Sequence, residues 1–187
     1  MSHTADVAQA RDTHAVEAER IEKQVAHVPP NEGARSLWVL GVLVTLKVPG
    51  HRTGGAYALF EAATPPGAGP PPHVHHREDE AFWVLEGEYE FSSGGQTLRA
   101  GTGSLLYVPK GTLHAHENVG EGVGRMLLVT QTPGGLYERF FEEIGKPVDG
   151  DGGPMVVEGQ RAVERVVDVA ATYGIEIPTT PIAEQLA

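Results

Sequence analysis

Three histidines and one glutamate are spaced in a way that could do metal chemistry. His73 and His75 lie two residues apart. On an extended strand, positions i and i+2 point to the same face, so both imidazoles could reach one ion with little backbone strain. Glu80 follows after the charged turn His76-Arg77-Glu78-Asp79 and could add a carboxylate oxygen. His114 comes after Pro109-Lys110-Gly111, whose Pro and Gly would set a neighbouring strand beside the first. Three imidazoles and a carboxylate, with no sulfur, form a borderline-hard donor set. It suits one divalent transition metal (Fe, Mn, Ni, Co or Zn) and leaves positions open for water or substrate. A single His-x-His pair is common by chance, and surface or turn histidines would explain it equally well. The weight therefore falls on the wider pattern and on the elements that would carry it.

Those elements read as short strands. Leu37 to Leu46 is a continuous apolar run, expected as one long strand covered on both faces. Ala56 to Ala63 is a second strand candidate, and the rigid loop Pro65 to Pro72 follows. Ala81 to Leu85, then Glu88 to Phe91 with a return at Gln96 to Arg99 across Ser92-Ser93-Gly94-Gly95, read as strands and a hairpin. Ser104 to Val108, Leu113 to Val119 and Arg125 to Gln131 complete the series. Strands this short and evenly spaced, with no helix between them, predict a small barrel or sandwich.

The flanks differ in texture. Residues 1–34 are polar, with a weak helical stripe over 13–26 that reads as a helix or a flexible arm. Residues 35–132 are the expected barrel. Residues 133–187 are expected to hold helices and a tail packed on it: Leu136 to Ile144, stopping at Gly145 with Pro147 beyond, then Gln160 to Tyr173 with Val163, Val166, Val167 and Ala170 on one face. Ile175 to Ile177 is a short strand candidate.

Composition narrows the function. The chain has 187 residues and a formal net charge of −11. An acidic surface argues against nucleic acid, whose phosphates need Lys and Arg, and against a polybasic membrane mode. With 0 Cys, disulfides, thiolate sites and Cys nucleophiles are excluded. The longest apolar run is about half the ~20 residues that a spanning helix needs. The N-terminus has no targeting signature, so a soluble cytoplasmic protein is expected.

The full spacing is Gly67, five residues, His73-x-His75, four residues, Glu80, six residues, Gly87. After fifteen residues it continues with Gly103, five residues, Pro109-x-Gly111, two residues, His114, three residues, Asn118. This resembles the two signature motifs of the cupin superfamily at every position. The resemblance implies an all-β fold, a small antiparallel β-barrel (jelly roll), here with short N- and C-terminal helical extensions. It also implies a metal held inside by His73, His75, Glu80 and His114. The stretch Thr132 to Phe141 after a single barrel is similar to bacterial single-domain cupins grouped with quercetin 2,3-dioxygenases. That likeness implies a metal-dependent dioxygenase acting on a small phenolic or enolisable, flavonol-like substrate, with O2 as co-substrate and Glu80 as ligand and base. The same ligands would serve a redox-neutral cyclase, isomerase or lyase, or a non-catalytic small-molecule binder.

Other candidates are weighed against plainer roles. Strand alternation turns His76 away from the ligands and His116 toward them, where His116 lines a pocket or is a bonded structural histidine. Asn118 reads as a turn or backbone-bonding residue, His51 as solvated, and Glu78 and Asp79 as a solvated turn. Phe82, Trp83, Tyr89, Phe91 and Tyr107 could line an aromatic substrate pocket, and most are expected in the core. Phe140 and Phe141 are expected to cover the barrel or an interface, with a lid over the metal as the alternative. The apolar edge at Leu37 to Leu46 suggests a homodimer.

Overall fold

The computed structural model describes residues 25–131, 135–148 and 160–178, with the backbone alone at 160–163. The chain divides into two units, Met1–Pro30 and Asn31–Ala187. Of the first unit, residues 25–30 are described and carry no helix or strand. The rest of the helix expected over 13–26 lies outside the described residues.

The second unit is an all-β jelly roll with two helices after it. Its strands are β1 (Arg35–Val39), β2 (Val42–Val48), β3 (Ala58–Thr64), β4 (Val74–His75), β5 (Glu80–Glu86), β6 (Glu88–Ser93), β7 (Gln96–Gly101), β8 (Leu105–Val108), β9 (His114–Asn118), β10 (Gly124–Thr130), β11 (Lys146–Pro147) and β12 (Ile175–Glu176). Helix α1 is Leu136–Ile144 and α2 is Gln160–Thr172. One sheet runs β11-β1-β2-β3-β10-β5-β8, a second β7-β6-β9, and a third β12-β4. Every pairing among them is antiparallel.

Alternation along the strands builds the interior. In β5, Glu80, Phe82 and Val84 are buried; in β10, Met126, Leu128 and Thr130; in β6, Tyr89 and Phe91. These rows face one another because successive strand residues point to opposite sides. The same alternation turns Trp83 and Tyr107 outward, at 52% and 63% exposure, so these two aromatics are surface residues and not core.

The apolar run at Leu37 to Leu46 is not one strand. Leu40 (φ 47°) and Gly41 (φ 83°) both take left-handed backbone, and the chain folds back there as the hairpin β1–β2. Two consecutive positive φ values are what a tight two-residue hairpin turn with matching twist requires, and the glycine adopts its value freely. The expected open edge is also closed. The outer side of β1 pairs with β11 through Leu37↔Pro147 and Trp38↔Lys146. A two-residue edge strand made of Lys and Pro offers little to pair with.

Helix α1 ends where expected, at Gly145, but not by a left-handed cap, since Gly145 has φ −83°. A Cβ there would come within 2.6 Å of the Phe141 carbonyl oxygen and 3.0 Å of Leu37 Cβ. The glycine is needed for close approach between helix end and barrel. Tyr137, Phe140 and Phe141 form the buried face of α1, and Val166 and Ala170 are buried on α2.

Candidate metal centre

Backbone pairing brings the ligand candidates together. His73 and His114 exchange reciprocal hydrogen bonds: the His73 amide donates to His114 O (2.9 Å) and the His114 amide to His73 O (3.0 Å). His75, two residues on in β4, pairs with Ile175 of β12, and its carbonyl accepts from Gly111 N at 2.7 Å. Gly111, in the turn after Pro109, has φ 80°, which a residue with a side chain rarely adopts. Glu80 opens β5, between Thr130 of β10 and Val108 of β8.

All four side chains are buried, between 2% and 7% exposed. One donor atom each from His73, Glu80 and His114 lie within 4.8 Å of one another, a group that could hold a metal ion. His75 stands beside this group, its Nε2 3.5 Å from Glu80 Oε2. His114 Nε2 is 3.2 Å from the same oxygen. Two of the imidazoles are fixed from behind: the His73 Nδ1 position meets Pro71 O at 2.9 Å, and that of His114 meets Thr112 O at 3.0 Å. A carbonyl can only accept, so Nδ1 carries a proton and Nε2 is the nitrogen turned toward the other ligand candidates.

The charge balance fits a cation. Burial, with His114 close by, lowers the His73 pKa to about 3. Burial pushes the Glu80 carboxyl up, but the facing His114, His75 and His73 outweigh it and hold Glu80 at about 2. His114 is likewise pushed down by burial, yet Glu80 outweighs this and raises it. Glu80 is therefore an anion in a buried pocket among imidazoles. Glu80 Oε2 and His114 Nε2 have no hydrogen-bond partner, a costly arrangement for buried polar atoms that a bound cation relieves. Three imidazoles and a carboxylate match the donor chemistry of a first-row divalent metal.

Two neighbours were not legible as site residues in the sequence. Glu78, expected in a solvated turn, is 1% exposed, with Oε2 3.5 Å from His75 Nδ1. Its spacing of three from His75 was the available signal. Tyr137, on α1, donates its hydroxyl to Glu80 Oε1 at 3.2 Å. The sequence placed that helix over the metal only as an alternative, through Phe140 and Phe141, and did not single out Tyr137. Burial and the adjacent Glu80 raise the Tyr137 pKa well above its ordinary value, so the phenol stays protonated.

The remaining candidates sort out by face. His76 is exposed and bonds Glu176 Oε2 at 2.9 Å on the outer side. His116 faces inward, its ring 5.0 Å from Phe91 and 5.2 Å from Phe82, and burial lowers its pKa to about 4. Asn118 donates to Thr64 O and Gly122 O and accepts from Gly120 N. Asp79 Oδ1 accepts from Lys110 N at 2.9 Å. His51 is exposed.

A cavity of about 120 Å³ adjoins the cluster. His73, His75 and Glu80 line it, together with apolar side chains including Phe82, Phe140, Phe141, Leu40 and Ile177. Phe140 and Phe141 thus cover the barrel interior from within the same chain.

Comparison with known proteins agrees with this architecture. Residues 60–130 match the model of the cupin domain family. An uncharacterised protein of Streptomyces coelicolor is 33% identical over 79 residues, which span 42% of this chain and 69% of that protein. The chain belongs to the cupin superfamily. Quercetin 2,3-dioxygenase of Bacillus subtilis is 30% identical over 98 residues, 52% of this cupin but only 28% of the enzyme's own length. Among solved structures, a predicted oxalate decarboxylase from Thermotoga maritima superposes with a TM-score of 0.53 at 20% identity, covering 57% of this chain and 99% of that one. That likeness supports the barrel fold. Among the described residues, no helix is long and apolar enough to cross a membrane.

Proposed function

We propose that this cupin is a metal-dependent dioxygenase acting on a small phenolic or enolisable, flavonol-like substrate, with O2 as co-substrate. The observation that carries the reading is the buried His73–His75–Glu80–His114 cluster, of which His73, His75 and Glu80 line an apolar cavity with an aromatic wall. The partial likeness to quercetin 2,3-dioxygenase supports the substrate class.

A divalent metal on these ligands would supply Lewis acidity toward a substrate hydroxyl and, if redox-active, a route for reaction with dioxygen. The chain's own groups do the rest. Phe82, Phe140 and Phe141 hold a planar ring and exclude water. Glu80, an anion at the cavity wall, accepts the substrate's hydroxyl proton at its carboxylate.

A second reading has one observation in its favour. Tyr137 sets a protonated phenol against the Glu80 carboxylate, giving a donor and an acceptor side by side. Such a pair also suits a redox-neutral cyclase, isomerase or lyase. Turnover of a flavonol or related diketone, assayed with and without O2 on metal-analysed protein, separates the two. The dioxygenase reading expects product with O2 and none without it. Equal turnover under anaerobic conditions, above all with zinc alone bound, sinks it. Tight binding with no product would leave a small-molecule binder.

A further inference from the structure

Tyr137 lies outside the matched cupin segment, yet it touches two of the ligand candidates. Its hydroxyl donates to Glu80 Oε1, and its ring packs edge-on against His75 at 5.1 Å between centroids. The other carboxylate oxygen, Oε2, points at His114 Nε2 and His75 Nε2 and has no hydrogen-bond partner. The carboxylate is thereby divided, one oxygen tied to the helix and one left to the imidazoles.

The helix that carries Tyr137 is itself pinned. Glu138 Oε1 accepts from Gly50 N at 2.9 Å near its start, and Gly145 meets Leu37 at its end. The Tyr137 ring stands edge-to-face on Phe60 (5.7 Å) and against Phe141 (4.7 Å). The phenol has little freedom to leave Glu80, and rigid support of a ligand from behind is what fixes its mode of binding.

We infer that Tyr137 is a positioning residue that holds Glu80 to a single metal-facing oxygen. Without its hydroxyl, Oε1 is free, and the carboxylate can turn both oxygens to the ion or swing away. This rests on the metal-binding reading above and is independent of substrate.

Cobalt(II) alone tests it, through the visible d–d absorption, which weakens as coordination number rises. Tyr137→Phe is isosteric and keeps the ring contacts, so folding is checked by circular dichroism and the melting temperature of the metal-free protein. The expected result is at least a twofold change in d–d intensity and a three- to tenfold change in cobalt affinity. Glu142→Ala, which removes the exposed ion pair between the same helix and Arg35 and leaves the Tyr137 ring contacts in place, is expected to leave the spectrum unchanged. An unaltered spectrum and affinity in Tyr137→Phe, or equal changes in both variants, overturns the inference. Wild-type protein that takes up no cobalt overturns the metal reading together with it. Protein that binds cobalt and shows the Tyr137→Phe change, but oxidises no flavonol, removes the proposed activity and leaves Tyr137 in its role.

Discussion

His73 and His114 each lean on a carbonyl, Pro71 O and Thr112 O, whereas His75 faces the buried carboxylate of Glu78. Glu80 sits among all three, one oxygen toward the imidazoles and one under Tyr137. These positions give different expectations for two single changes. Glu80→Gln keeps a side chain of the same shape, so fold and much of the metal affinity persist, while turnover falls by about 100-fold or more because the proton acceptor is gone. His114→Ala removes a donor outright, and metal affinity falls, by roughly 10- to 100-fold or beyond on the scale seen for supporting residues. Calorimetric titration with manganese or cobalt, beside a steady-state assay, checks both. Wild-type behaviour in the two variants would mean that the site is elsewhere. The ligand candidates were legible in the sequence because metal chelation dictates residue type and spacing together. Glu78 was not, because its neighbours Arg77 and Asp79 read as a solvated turn, and burial of a carboxylate beside a histidine is set by tertiary contact.

Among the elements, those made of local signals were legible and those made by long-range contact were not. The hairpin β6–β7, strands β8 to β10 and helix α1 follow from alternation, turn residues and a 3.6-residue stripe. The β1–β2 turn was missed because Leu40 is an uncommon residue for positive φ, so the run looked continuous. Strand β12 was visible as Ile175 to Ile177, but not its partner. It lies along β4 with Ile175 opposite His75, and the His76 amide bonds Gly174 O at 3.0 Å. A segment distant in sequence thus backs the strand that carries the ligand candidate His75. Ile175 is 3% exposed, and truncating it leaves a cavity beside His75. Ile175→Ala is expected to cost about 2–5 kcal/mol in urea unfolding of the metal-free protein, and to weaken metal binding as well. An undiminished affinity would show that β4 holds His75 without help from β12.

Across the whole molecule, the candidate metal cluster is where separate parts of the fold meet. β9 and β4, with His73 just before β4, bring the histidines, β5 the glutamate, α1 the tyrosine and β12 the backing strand. The acidic chain without thiolates that the composition described still assembles an all-nitrogen-and-oxygen donor set. The homodimer expected from an open edge at Leu37 to Leu46 loses that premise, since β11 covers β1; the large sheet's other end is β8, where Leu105 and Tyr107 are exposed. Because the site ties distant segments together, its occupancy is expected to stabilise the whole barrel. An ion that binds the folded state alone adds RT ln(1 + [L]/Kd), about 2.7 kcal/mol at 100 times Kd. For a domain of this size that corresponds to a rise in melting temperature of roughly 5–10 °C. Thermal unfolding followed by circular dichroism, with added manganese or cobalt and with EDTA, reads this directly. His114→Ala is the control: with affinity lowered 10- to 100-fold the same term shrinks to about 0.4–1.4 kcal/mol, so its metal-induced rise is expected to be about half the wild-type rise or less. An equal metal-induced rise in wild type and His114→Ala would place the stabilising ion away from this cluster.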